Sequence, residues 1–277
     1  MLKLSPVQLG HLALLTLLWG LNWPVMKAGV MAFPPLSFRA LSMWLGLPVL
    51  AAGMVLLKVP LRMPLRHWRE LLALTVTNMI VWHVCIVLAL RSLPSGRAAV
   101  LGYTMPVFSA LIGAWLFNAR LGGRGWAGVG AAAAGVGLLL WNELSALAGR
   151  PLGVALVLGA AATWALGTQQ MRRTRLPVHT LTLTFWMLAL ATVAMTLPAI
   201  AFERHDWAMP PPATVGSIAF NAVAIFGYSY AVWITLARNL PPVASTLSVM
   251  MIPVVGVFSG ALGWARSCSG RTSPPWR

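Results

Sequence analysis

The chain has 277 residues, 59% hydrophobic and only 9% charged, with a mean hydropathy of +0.80. A soluble domain carries about 25% charged residues, so this composition excludes an ordinary soluble fold and makes lipid the expected solvent. The 20 Lys and Arg against 4 Asp and Glu give a formal charge of +16. They sit in short gaps between apolar runs and not on one face of a polar domain, which points to a membrane and away from nucleic acid.

About 20 apolar residues span the hydrocarbon core as a helix, and helix is the form that satisfies the backbone where water is absent. Nine such runs follow one another: Val7–Ala28, Pro35–Leu57, Leu71–Leu90, Ala98–Phe117, Trp126–Trp141, Leu152–Gln169, Leu181–Phe202, Val215–Ala237 and Val243–Trp264. The first has no small-residue cleavage site before Trp23 and Pro24, so no cleavable signal peptide is expected. The fifth is short, and its Gly and Ala predict close helix packing. The expected fold is an all-α integral membrane protein of about nine transmembrane helices. Cys85 and Cys268 have no redox or metal-ligand spacing.

The gaps alternate in charge. Lys3, Lys58, Arg62, Arg66, Arg69, Arg120, Arg124, Arg172, Arg173, Arg175 and Arg238 fall on one side, eleven against the five of Lys27, Arg91, Arg97, Arg150 and Arg204. The basic side is the cytoplasmic one by the positive-inside rule, so the N-terminus is expected inside and, with nine helices, the C-terminus outside.

The sequence also repeats itself. Leu90-Arg91-Ser92-Leu93-Pro94 aligns with Ala237-Arg238-Asn239-Leu240-Pro241. Continuing without a gap, Pro106-Val107 meets Pro253-Val254 and Gly113-Ala114 meets Gly260-Ala261. At nearly the same offset Trp19 meets Trp164. The unit is five helices, and an odd unit inverts its second copy. The expected organisation is a first repeat over 1–142, a second, incomplete repeat of four helices over 143–264, and a tail over 265–277. Inverted repeats are a transporter signature, with the substrate site near the midplane where the halves meet.

Polar groups inside a membrane are costly and face a cavity or a partner helix. The candidates are Asn22, Lys27, Arg39, Asn78, His83, Tyr103, Thr168, Gln169, Asn221, Tyr228, Tyr230 and Ser248, with Trp19, Trp23, Trp82, Trp164 and Trp186 able to wall a pocket. Trp126 and Trp141 read as interfacial anchors, Lys27 as snorkelling outward, and Arg91 and Arg238 as structural. Arg39 is read as snorkelling, with an anionic substrate as its other reading. A central cavity lined by Trp19, Asn22, Trp82, Tyr103, Trp164 and Tyr228, with His83 beside it, is the expected substrate site. Pro24, Pro106 and Pro253 free backbone carbonyls and can kink their helices. No metal cluster, nucleophile constellation or Gly-Lys-Ser/Thr phosphate loop is visible, so no cofactor and no ATP hydrolysis is expected. An enzyme acting on lipids would need paired His or Asp in the spans, whereas Glu70, Glu143, Glu203 and Asp206 all fall outside them. With no acid in a span, transport is expected to be uncoupled from protons, coupling through His83 being the other reading.

Several local patterns point the same way. Leu18-Trp19-Gly20-Leu21-Asn22-Trp23 resembles a W-G-x-N/S start, and Pro34-Pro35 with Phe38-Arg39 resembles a P-P region leading to R-F. Ser95-Gly96-Arg97-Ala98-Ala99, Tyr103, Pro106 and Trp115-Leu116-Phe117 resemble a fourth helix of the same set. In this order, from about Leu12 to Leu262, the chain resembles the EamA branch of the drug/metabolite transporter superfamily. The resemblance implies ten helices in two inverted five-helix repeats, and export of metabolites or amino acids across the bacterial inner membrane. Two departures stand out: Asn118-Ala119 replaces the family's Gly-Glu, and a tenth helix is missing. After Leu262 the sequence turns polar, basic and helix-breaking through Arg277. That tail is expected to be read out of frame, a natural disordered tail being the other reading.

The function expected is secondary transport of a small metabolite or amino acid by alternating access, as an exporter. An importer or exchanger of a similar solute, or a truncated non-functional transporter, are the alternatives. The expected partners are a small-molecule substrate and the lipid bilayer, with a homodimer allowed.

Overall fold

The computed structural model describes residues 5–119, 122–147 and 151–239, with Ile252 and Val255. These residues form eight helical rods: α1 Pro6–Ala32, α2 Pro35–Leu56, α3 Leu65–Ser92, α4 Ser95–Phe117, α5 Gly123–Leu147, α6 Pro151–Arg173, α7 Thr180–Asp206 and α8 Pro212–Leu236, the last continuing to Asn239. Seven of them, all but α5, are long and apolar enough to cross a membrane. The first eight expected spans thus appear as helices. The ninth lies outside the described residues apart from Ile252 and Val255, both helical. The tail and its frame also lie outside them.

Proline sets many of these boundaries. Pro6, Pro35 and Pro212 occupy first-turn positions, where a missing N–H costs nothing. Ser5 and Gln8 close a capping box at the start of α1. Phe33 and Leu93 leave the helical region just before Pro34 and Pro94, as the residue before proline tends to do. Pro106 breaks α4 into Ser95–Gly102 and Met105–Phe117, because it has no N–H and its ring clashes with the carbonyl four residues back. Pro24, by contrast, sits in an unbroken α1.

Three of the rods contain π-helical stretches: Val76–Ile80 in α3, Asn221–Ser229 in α8 and Ala199–Glu203 in α7. Adding 147 to the first gives 223–227, inside the second. Such widened turns are rare and cluster at functional sites.

Packing interleaves the halves. α2 lies against α8 and α7, while α3 lies against α6 and α7. α1 touches α3, α4 and α8, and both parts of α4 rest on α6. Small residues permit the closest approaches: a Cβ on Gly167 would stand 2.5 Å from Asn78 Nδ2, and one on Gly46 2.6 Å from Phe226 Cβ. The expectation of close packing in the fifth span is not met by the described residues. A Cβ at Gly128, Gly130, Gly135 or Gly137 would have nothing within 4 Å, and α5 packs on α4 alone among the strong contacts.

Buried hydroxyls are answered within their own helices. Ser42, Thr75, Thr184 and Thr192 each donate to the carbonyl four residues back, the arrangement a dry interior demands. Leu56, Leu116, Leu197 and Phe202 project outward, where a bilayer would cover them.

Glu203 corrects the reading that no acid lies in a span. It closes a π-helical turn at the end of α7 and is buried. Its carboxylate accepts from Leu36 N at 3.0 Å and from Ser37 N and Oγ at 2.7 Å each. It thereby fills the open donors of the first turn of α2, with Trp207 Nε1 donating to the same Ser37 hydroxyl.

Candidate substrate-binding cavity

Aromatic side chains from five helices converge on one place. A small cavity between the halves is lined by Trp19, Asn22, Trp23 and Met26 of α1, Arg39 of α2, Trp82 and His83 of α3, Tyr103 and Met105 of α4, Trp164 of α6, and Ile225 and Tyr230 of α8. Six of the seven expected site residues are therefore together: Trp19, Asn22, Trp82, His83, Tyr103 and Trp164. Tyr228 is not. Its hydroxyl lies 2.6 Å from His11 Nδ1 in a separate groove between α1, α2, α7 and α8. Tyr230, two residues on, holds the place expected of it, with its hydroxyl 2.9 Å from His83 Nε2.

The walls are rings against rings. Trp19 meets Trp164 edge-on at 6.1 Å, and Trp82 meets Trp164 at 5.0 Å. Trp23 meets Trp82 at 6.4 Å, and Trp233 packs on Trp19 at 5.4 Å. Phe226 stacks on Tyr230 at 5.6 Å and touches His83 at 5.2 Å. These separations are those at which aromatic pairs attract.

The volume is about 40 Å³, room for a few waters and not for a metabolite. A second cavity of about 50 Å³ adjoins it, sharing Trp19, Tyr103, Met105 and Trp164 and running past Pro106, Ser109, Thr168 and Trp233 to Arg172. The four shared side chains form the partition between the two.

Polar chemistry is concentrated in the inner cavity. Arg39 is only 1% exposed, which overturns the snorkelling reading. Its Nη1 donates to Asn221 Oδ1 at 3.1 Å and its Nη2 to Met26 Sδ. The guanidinium also lies 5.5 Å from the centre of the Phe226 ring. Among the described residues its Nε has no hydrogen-bond partner, and neither do Asn22 Oδ1 and His83 Nδ1. These three residues line the same cavity.

The other candidates lie elsewhere. Lys27 Nζ donates to Leu90 O at 2.6 Å, at the carbonyl end of α3. Arg91 donates to Val30 O, and Arg238 to Leu176 O, Val178 O and Thr180 Oγ1, in keeping with structural roles. Asn78 bonds Leu74 O beside Gly167, and Gln169 bonds Ser109. Trp186 donates to Leu61 O in the α2–α3 loop. Thr168 lines the second cavity. Ser248, Pro253 and the Trp141 side chain fall outside the described residues. Among the described residues no group of three His, Cys, Asp or Glu comes together that could hold a metal ion.

Sequence reading undervalued Tyr230 and Arg39, and overlooked Trp233 and Phe226. For Tyr230 a signal existed: the 147-residue interval that aligns Arg91 with Arg238 carries His83 onto Tyr230. An interval of 145, which aligns Trp19 with Trp164, carries it onto Tyr228. Two residues turn a helix by roughly 200°, enough to exchange the cavity face for the outer one.

Comparison with known proteins agrees with this architecture. The sequence profile of the EamA-like transporter family matches residues 9–141 and again 151–269. The chain is 33% identical over 263 residues to the "Uncharacterized inner membrane transporter YedA" of Escherichia coli K12, covering 91% of this chain and 81% of that one. It is 27% identical to the "Probable amino-acid metabolite efflux pump" of the same strain, covering 91% and 86%. It is 23% identical to the "Uncharacterized transporter YoaV" of Bacillus subtilis, covering 92% and 88%. A solved crystal structure, 21% identical, superposes with a TM-score of 0.68 over 98% of this chain and 91% of the other, and shows the same fold. The chain belongs to the EamA-like transporter family.

Proposed function

We propose that the chain is a secondary transporter of the bacterial inner membrane that exports a small metabolite or amino acid by alternating access. The observation that carries this reading is the aromatic cavity between the halves, lined by three residues each with a buried polar atom that has no partner among the described residues. Family membership supports transport. The names of YedA and the probable efflux pump support the inner membrane and the outward direction. The charge distribution supports a cytoplasmic N-terminus and, with it, a second cavity and Arg172 that face the cytoplasm. In this reading Trp19, Tyr103, Met105 and Trp164 are the gate between a cytoplasmic vestibule and the inner site. In this reading the site widens when the halves rock. The repeats over 1–142 and 143–264 supply the two halves. The interleaved contacts of α2 with α8 and of α3 with α7 are what a pseudo-two-fold arrangement requires.

The test is release. The purified chain, reconstituted in liposomes loaded with a mixture of cellular metabolites, should discharge a restricted set of solutes faster than protein-free liposomes. Discharge indistinguishable from that of the empty liposomes, across the whole mixture, would sink the reading.

A further inference from the structure

Arg39 is an intramembrane cation without an acidic neighbour among the described residues of the site. None of the described residues lining its cavity is acidic, and its partners, Asn221 Oδ1 and Met26 Sδ, are both neutral. A charge so placed is costly unless an anion joins it. Glu203, the one buried carboxylate among the described residues, is already occupied with the first turn of α2. The missing counter-charge must therefore come from outside the described chain.

The geometry of the unpartnered atoms defines what would fit. A guanidinium has five N–H donors, and Nε has none of its bonding used. Nε–H and the adjacent Nη–H form the side-on fork that suits a planar carboxylate. Where Tyr230 donates to His83 Nε2, the proton of the neutral imidazole sits on Nδ1, giving a further donor at the same cavity. Asn22 Oδ1 adds one acceptor for an N–H or O–H of the ligand. Around these stand Trp19, Trp82, Trp164 and Tyr103, whose rings suit a flat apolar body. Charge balance argues for a single negative charge: a phosphate dianion would leave one charge over in a dry site.

We propose that Arg39 is the anchor that selects the substrate, by binding a carboxylate attached to a flat apolar body. This rests on the reading of the cavity as the transport site and adds a chemical class to it.

The walls supply their own signal, since Trp19, Trp23, Trp82 and Trp164 all line the cavity. Tryptophan fluorescence of the purified full chain is titrated with phenylacetate, phenylacetamide, phenethylamine and sodium chloride. Phenylacetate should quench saturably and bind at least about tenfold more tightly than the amide or the amine, the difference a charge-assisted bidentate contact makes. Arg39→Gln should bring carboxylate and amide to equal affinity, and Arg39→Lys should keep part of the preference. Four results would overturn the proposal. These are equal binding of amide or amine by the unaltered chain, a preference that persists in Arg39→Gln, no saturable quenching by phenylacetate, or chloride matching phenylacetate. The probe series on the unaltered chain decides even where Arg39→Gln fails to fold. Arg39-dependent binding without solute release from liposomes would remove the transport reading and leave the anion site. Solute release with no preference among the probes would do the reverse.

Discussion

His83 Nε2 stands 2.9 Å from Tyr230 Oη, and the two residues are 147 positions apart. Trp19 touches Trp164 in the same cavity at a separation of 145 positions. A residue can meet its own counterpart only where a two-fold relation passes close to both. If the halves are related in this way, the relation runs through the aromatic cavity. The same interval joins the π-helical stretches of α3 and α8, each lying just before its member of the His83–Tyr230 pair.

That relationship predicts an asymmetry between two tyrosines of α8. Tyr230→Phe leaves His83 Nε2 buried without its partner, at a cost of about 1–3 kcal/mol. Tyr228→Phe removes only an exposed bond to His11, worth less than about 0.5 kcal/mol. Thermal unfolding in detergent should show a lowered midpoint for the first and an unchanged one for the second. Equal midpoints would mean that the helix register at the cavity is wrong.

Helix spacing gives a second expectation. Gly167→Ala drives a methyl against the Asn78 amide and should destabilise the α3–α6 contact by about 1–3 kcal/mol. Gly216→Ala, where a Cβ meets nothing within 4 Å, should be neutral or slightly stabilising. A Gly167→Ala chain as stable as the original would show that the two helices sit farther apart than described.

Glu203 yields a third. Removing its carboxylate leaves the Leu36 and Ser37 amides without their acceptors, so Glu203→Ala should cost about 1–3 kcal/mol. Glu203→Gln retains one acceptor oxygen and should cost less. Proteolysis of the α1–α2 loop reads the effect locally. Cleavage there that is no faster in Glu203→Ala than in the unaltered chain would contradict the capping role.

Much of this was legible in the sequence because a bilayer simplifies the problem. Apolar length marks the helices, and Pro34, Pro94 and Pro106 mark where they stop or break. The tryptophans of the cavity announced themselves by their depth, and Trp19 with Trp164 by their common repeat position. What could not be read was rotation. An all-round apolar helix has no polar face to fix its register, so Tyr228 and Tyr230 looked alike until α8 was packed. Arg39 was misjudged for a related reason. Its distance from the helix start allowed a snorkelling side chain, and only the packing of Phe226 and Asn221 around it shows that it turns inward. Glu203 lay one residue beyond the apolar run that marked the seventh span, and it belongs to α7 because the π-turn carries the helix further.

The central claim is that solute passes through the aromatic cavity, with Trp19 and Tyr103 on its partition. The most direct measurement is solute release from liposomes loaded with cellular metabolites, comparing the unaltered chain with Trp19→Ala and Tyr103→Ala at equal amounts of folded protein. The unaltered chain should discharge a restricted set of solutes, and each alanine variant should lose at least about tenfold of that rate, the loss of an aromatic contact from a packed site. Discharge of the same solutes at the original rate by both variants would contradict the account.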